Sequence, residues 1–522
     1  MMVYPNYRSF TPYVHLSTRT RIHSTGKPET DGRHMVSEKN RLRVLDKADL
    51  EAIHGASLEV LRDVGILIDS EKTLDLLSGN GFEVDRRTKI VKMPESLVAE
   101  AVKSAAKNFR WHARSERHSF DFVDGRTKFG PGAQCLFYSD PGTEQVRSAT
   151  LEDGIRICRL LDGLDSSSLG YLPVYPSDVP PTSMSAVLWV AQLIHSSKPA
   201  YGGSGDDEQF EMMLRIVDIL YGDRELLRKK ALFVGFIDPI SPLAHDPWMI
   251  QILLRYSEWH LPVFVVSMAL AGGTAPASLA GLLVQQNAEI LSSIAIAKCV
   301  CKAPKIVYGS VSCPLDMRSG TSVTGAPEFS LLGVGAVQMA KFYGLPSDVG
   351  VQSDSKSVDA QNSYEKTQAA LMASLSGADM ADLFLGSSEA FNVYSPVQLM
   401  IDDEIVSNVR RIAQGIEINE ETLSVDVIAK TGPLGNYLKH PRTLSQFKRE
   451  HSQARLSDRS TRQQWLASGA KDTNKRAKER MDALLASHAP DPLEPEMKKG
   501  LDALLKEHAK NYTVYDLEKM GH

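Results

Sequence analysis

Asp354-Ser355-Lys356 closes an apolar run, DVGVQ, and puts a carboxylate and an amine two residues apart. A lysine in such a place can form a Schiff base, pair with an anion or balance Asp354; a surface ion pair is the plain alternative. Other apolar runs end in groups of similar promise: Tyr201-Gly202-Gly203, Phe236 and Asp238, Ser267 and Met268, Tyr308-Gly309-Ser310, and Gly386-Ser387-Ser388. The glycines there and at Gly272-Gly273-Thr274 let backbone approach a ligand closely, and serve equally well in tight turns. Tyr171, Tyr175, Tyr201, Phe236 and Tyr308 cluster near the same run ends. Such rings suit a quaternary ammonium group, which has no conventional hydrogen bond to donate. Each face contributes about 0.5–2 kcal/mol, so several are needed to offset desolvation of the charge. A carboxylate from Asp238, Glu289 or Asp354 would add to them. For any one ring taken alone, core packing is the simpler account.

Several chemistries have no sequence signal. There is no P-loop and no G-x-G-x-x-G at a strand–helix junction, which argues against a nucleotide site, S-adenosylmethionine included. No HExxH occurs, and His440 and His451 lack ligand-like spacing. Cys299-Val-Cys301 falls late in an apolar helix, where residues two apart face different sides; packing is expected there, and no metal. Five cysteines, odd in number and irregular in spacing, do not read as a disulfide framework. A net charge of -5 gives no reason to expect nucleic acid or a membrane surface as partner. No stretch approaches 18 uncharged apolar residues, so no membrane-spanning helix is expected.

What must position these residues is a repeating unit. From about 128, short β-prone runs alternate with helical stretches: 129–138, 168–175, 198–204, 231–238, 262–268, 305–311, 348–354 and 380–386. The runs are near-continuously apolar, as parallel strands covered on both faces are. Eight such units close an α/β barrel of the TIM type, (β/α)8, with function where strands meet their following loops; a doubly wound sheet is the rival. The expected organisation is a disordered basic leader (1–41), an α+β cap (42–127), the catalytic barrel (128–415) and a charged helical arm (416–522) packed on the barrel or a partner. A transit peptide is the alternative for the leader. At 43% hydrophobic and 24% charged, the chain is ordinary globular protein.

The segments LEAIHGASLEVLRDVGI, TSVTGAPEFSLLGVGAVQMAKFYGLPSDVGVQSDSK, VDAQNSYEKTQAALMASLSGADM, LMIDDEIVSNVRRIAQGI and LSDRSTRQQWLASGA resemble the trimethylamine methyltransferase family, over about residues 42–508. The resemblance implies a barrel enzyme that moves a methyl group from a methylated amine to the cob(I)alamin of a separate corrinoid protein. No cofactor of its own would be held tightly. Archaeal members carry pyrrolysine at a strand end, a position that falls at or near Lys356 here. Members with standard residues act on glycine betaine, proline betaine or carnitine. On this reading Asp354 and Lys356 are the expected catalytic positions. Tyr201, Phe236, Asp238, Ser267, Glu289, Tyr308 and His440 are the expected substrate-binding ones, with Lys356 or His440 facing a betaine carboxylate. A cytoplasmic enzyme is expected, and homo-oligomerisation is left open. The rivals are a Schiff-base lyase or aldolase using Lys356, and a non-catalytic betaine-binding barrel.

Overall fold

Apolar runs become parallel strands when helices cover the outer face and side chains fill the inner one. The computed structural model of the chain, which describes residues 41–132, 134–202 and 206–521, contains six such strands. They are β1 (Lys128–Pro131), β2 (Gly235–Ile237), β3 (Val263–Ser267), β4 (Ile306–Ser310), β5 (Ser347–Gly350) and β6 (Met380–Leu385). Their order is β1-β6-β5-β4-β3-β2, all parallel, so the first and second strands are the two edges of a curled sheet. Four helices on its outer face are α1 (Leu279–Lys298), α2 (Pro327–Phe342), α3 (Ala360–Ser376) and α4 (Pro396–Ala413).

Two of the expected strands are not regular strands. The segments 168–175 and 198–202 cross the gap between the sheet edges as extended chain, joined by Ser168 N–H to Phe129 O, Gly170 N–H to Pro199 O and Gly202 N–H to Val234 O, at 2.9–3.0 Å. Pro173 and Pro199 have no N–H to give a ladder. Gly170 sits so close to Ser196 that a Cβ would lie 1.9 Å from its Oγ. Gly203 and Ser204, at the end of that run, lie outside the described residues. The run 129–138 also divides: after β1, Phe137–Ser139 pairs with Val393–Tyr394 and Val146–Ser148 in a separate sheet.

The alternation of strand residues sorts the chain into two apolar bodies. Outward-facing Val263, Val265, Tyr308 and Val349 pack with the helices. Inward-facing Phe264, Val266, Val307 and Met380 pack with Trp111, Phe122, Tyr171 and Tyr201. Trp111 and Phe122 come from the N-terminal segment, Trp111 on a two-stranded pair (Arg110–Trp111 with Phe120–Asp121) and Phe122 just after it, and fill the N-terminal end of the sheet interior. Upstream of it are helices Lys47–Glu59, Glu71–Gly79 and Glu95–Ser104 and the hairpin Glu83–Asp85 with Ile90–Lys92. Helix α1 is long and apolar enough to cross a membrane, but 72% of that stretch is buried inside the protein, Gln286, Asn287 and Glu289 included. At the C-terminus, Thr473–Ser487 packs along α4, and Pro495–His508 packs on helices Met184–His195 and Asp207–Tyr221. The leader expected at 1–41 falls, but for Arg41, outside the described residues.

Candidate functional site

Strand parity decides which residues reach the sheet interior. On β2, Phe236 faces inward, and Asp238 shares its parity just past the strand end. Tyr201 from the crossing segment stands at the centre of an aromatic group. Its ring centroid lies 5.4 Å from Trp111, 5.6 Å from Tyr171, 5.7 Å from Phe236 and 5.4 Å from Phe264, mostly edge to face. Its hydroxyl donates to Asp382 Oδ2. Tyr171 donates to the Gly132 carbonyl at 2.8 Å.

Two aspartates lie among these rings. Asp348 of β5 and Asp382 of β6 are fully buried, and Oδ1 of each has no hydrogen-bond partner among the described residues. Desolvation and, for Asp348, the neighbouring Asp382 push both carboxyls above the usual range. Asp238 is pushed up to about 7 by burial alone, without a charge partner. The glycine at 130 is required: a Cβ there would meet the Asp382 carboxylate at 1.9 Å. Carboxyls in such surroundings ionise readily only when a cation approaches, and the aromatic faces around them attract one.

The strand ends above this group are held by polar clamps that are buried or partly buried. Asp354 is one: its carboxylate accepts from Thr324 N–H, Thr324 Oγ1 and Gly325 N–H, each at 2.9 Å. Glu365 of α3 takes Ser353 Oγ at 2.7 Å and Asp354 N–H at 2.9 Å. Glu289 of α1 accepts from Ser241, Leu243 N–H, Ser267 and Gln285 at 2.8–3.1 Å, which fixes the loop after β2. Lys366 and Asp402 form a wholly buried ion pair of 2.8 Å. It bonds the last turn of β6 through Lys366 to Phe384 O and Gly386 N–H to Asp402. Just beyond, Glu389, Ala390 and Phe391 hold successive positive φ angles of 52°, 49° and 75°. That conformation costs about 1–3 kcal/mol per residue and persists where the surroundings impose it. Phe391 packs against the interior aromatic group.

The structure therefore brings Tyr201 and Phe236 together, with Asp238 two residues beyond Phe236 on the same strand parity, and sets other expected site residues apart. Ser267 and Tyr308 have outward parity on β3 and β4. Ser267 donates to Glu289, while Tyr308 donates to Asn287 at 3.1 Å and stacks on Tyr343. Glu289 serves the loop clamp just described. Asp354 spends its carboxylate on backbone, and Lys356 is exposed, its Nζ 2.6 Å from the Asp354 carbonyl. His440 caps helix Pro441–Glu450, accepting from Arg442 N–H, in a segment that leaves the end of α4. Cys299 follows the end of α1 and Cys301 Sγ approaches His260 Nδ1 at 3.4 Å; among the described residues no three potential ligands are grouped as for a metal ion. Asp348, Asp382, Trp111 and Phe264 were not singled out from the sequence. A charged residue in mid-run, as in SDVG and MADLF, is the signal that points to the first two.

The sequence of the chain matches the model of the trimethylamine methyltransferase family over residues 16–512. It is 33% identical over 474 residues to a trimethylamine methyltransferase of Desulfitobacterium hafniense, covering 89% of this chain and 94% of that one. A Methanosarcina thermophila trimethylamine methyltransferase is 34% identical over 88% and 96% of the two chains. A glycine betaine methyltransferase of Desulfitobacterium hafniense is 31% identical over 90% and 98%. Likeness of that depth along nearly the whole length makes this chain a member of the trimethylamine methyltransferase family and a methyl-transferring enzyme.

Proposed function

We propose that the enzyme takes a methyl group from a betaine-like quaternary amine and gives it to the Co(I) of a separate corrinoid protein. The observation that carries this reading is the aromatic group around Tyr201, with Asp238, a partly buried carboxyl without a cation partner among the described residues, past the end of the strand that carries Phe236. The similarity to a glycine betaine methyltransferase supports the substrate class.

The transfer is a displacement in line. The cobalt electron pair forms the Co–C bond as the N–C bond breaks, and the pair of that bond leaves on nitrogen as a neutral tertiary amine. No proton moves. The protein contributes proximity and orientation, with Phe236, Tyr201 and Tyr171 facing the ammonium and Asp238 countering its charge. Lys356, exposed at the same end of the sheet, is the group we assign to the substrate carboxylate. Asp354 positions the loop that carries it. We further read the sheet as an eight-stranded barrel, with 168–170 and 199–202 as the irregular seventh and eighth staves. The three backbone bonds from β1 across to β2 support this. The segments 42–127, 128–415 and 416–522 then act as cap, catalytic barrel and arm. A strongly reducing acceptor and five free thiols fit a cytoplasmic setting.

The test is direct. The enzyme is mixed with cob(I)alamin, free or on a reduced corrinoid protein, and with glycine betaine, proline betaine and carnitine in turn. Methylcobalamin formation followed by absorbance is the expected result. Absence of methylation with every quaternary amine overturns the reading.

A further inference from the structure

In the register of β5 and β6, Gly350 stands beside Asp382 and Asp348 beside Met380. The two aspartates are therefore diagonal neighbours on adjacent strands, on the same inner face. They are 2% and 0% exposed, and Oδ1 of each has no partner among the described residues. Lys128, the cation of β1 on this face, is spent elsewhere: its Nζ donates to Asp124 and to the carbonyls of Phe122 and Arg126. Around the pair are Tyr171 and Tyr201 of the crossing segments, Trp111, and Phe264, Val266 and Val307 of β3 and β4, none of which carries a positive charge. Two carboxylates side by side and out of water cannot both ionise, so the pair holds a proton. A carboxylic acid also donates where a carboxylate only accepts, which answers an orphaned acceptor without a cation. The partners decide where that proton stays. Asp382 receives the Tyr201 hydroxyl and the Leu383 N–H, both of which favour its anion. Asp348 receives the Val349 N–H but feels the Asp382 charge, which favours its acid.

We propose that Asp382 is a positioning residue for methyl transfer: as the anion of a carboxyl pair whose one proton stays on Asp348, it takes the Tyr201 hydroxyl and sets that ring towards the ammonium. This role rests on the reading of the aromatic group as the ammonium site. A phenol that donates to a carboxylate gains electron density on its ring, and a richer ring attracts a cation more strongly. The bond also fixes the ring plane, because the Asp382 carboxylate is wedged against Gly130, where a Cβ would lie 1.9 Å from Oδ1. Transfer itself moves no proton, so the pair has no acid or base to supply. Asp382 acts through Tyr201, and Asp348 acts by keeping the second charge away.

Two measurements on the full chain test this. The first is tetramethylammonium affinity by calorimetry, above pH 7 so that Asp238 is ionised. It is expected to fall about tenfold in Asp382→Asn and by a similar factor in Tyr201→Phe. With both substitutions the fall should be no larger than with either, since all three variants lose the same hydrogen bond. Losses that multiply make Asp382 a structural carboxyl and overturn the proposal. Tyr201→Phe keeps the ring and its packing, so it carries the test alone if Asp382→Asn does not fold; full affinity in it overturns the proposal. The second measurement is the infrared spectrum of the unliganded protein at the same pH. Absorption in the carbonyl band of neutral carboxylic acids should drop in Asp348→Asn and persist in Asp382→Asn. The reverse pattern, or no drop in either, places the proton elsewhere and overturns the proposal. Failure of the ammonium-site reading shows differently, as an unaltered enzyme that binds no tetramethylammonium, and it removes the role of Asp382 with it.

Discussion

Asp348 and Asp382 each bury one carboxylate oxygen without a partner, while between 414 and 455 large apolar side chains lie exposed, among the described residues. The two regions invert the usual distribution in opposite senses. In the sheet interior the inversion is carried by rigid strands: Gly130 leaves no room beside Asp382, and rings pack at 5.4–5.7 Å around Tyr201. Carboxyls held that firmly out of water cost stability. In the segment 414–455 the inversion lies on short helices tied back by few bonds, such as Arg411 to Glu450 and Leu456 N–H to Glu404. The two departures from ordinary burial differ in rigidity: one is carried by sheet strands, the other by short, lightly tied helices.

The largest expected effect probes how firmly the interior is held. Lys366→Met leaves Asp402 a buried, uncompensated carboxylate, and should destabilise by about 3–5 kcal/mol, read from the urea midpoint. Asp402→Leu added to it should recover most of that loss. Recovery of methyl transfer along with stability would show that the clamp on Gly386 is dispensable for the loop that carries Phe391.

Next in size is Asp238→Asn. If the carboxyl faces the ammonium, kcat/KM should fall about 10- to 100-fold, near 1.4–2.8 kcal/mol, while the urea midpoint stays or rises, because a neutral amide loses nothing by burial. A fall in both quantities would make Asp238 structural. The same residue sets a pH dependence. Its folded-state value of about 7 lies above the ordinary 3.8, so between these values the folded chain holds a proton that the unfolded chain has lost. Its contribution to stability is therefore fully present below about 3.8 and disappears as pH rises through 7. Cation binding favours the ionised form and runs the other way: tetramethylammonium affinity by calorimetry should weaken as pH drops below 7, by at most about tenfold per unit. Asp238→Asn should flatten that slope.

Smaller effects are expected at the rim. Lys356→Ala should raise KM for glycine betaine severalfold and leave the affinity for tetramethylammonium, which has no carboxylate, unchanged. Equal loss for both ligands would place Lys356 in loop structure instead. In the segment 414–455, Leu434→Ser at nanomolar protein should change unfolding by less than about 0.5 kcal/mol.

The sequence by itself determined the parallel α/β pattern, because strands covered on both faces must be apolar throughout, and it determined the family, because long segments match in order. It also singled out Tyr201 and Phe236, whose rings the structure places 5.7 Å apart, since strand ends are where such sheets expose side chains. Parity lay beyond it. A shift of one residue turns Ser267 and Tyr308 from the interior to the helices, and run boundaries read from composition are no finer than that. Nor could local pattern join Trp111, far upstream, to Phe264, or pair Asp348 with Asp382 across neighbouring strands. Those contacts arise when the sheet curls and the N-terminal hairpin fills its end. Only the tertiary structure decided that Asp354 would hold backbone, that Glu289 would clamp a loop, and that the apolar residues after 413 would be left facing outward.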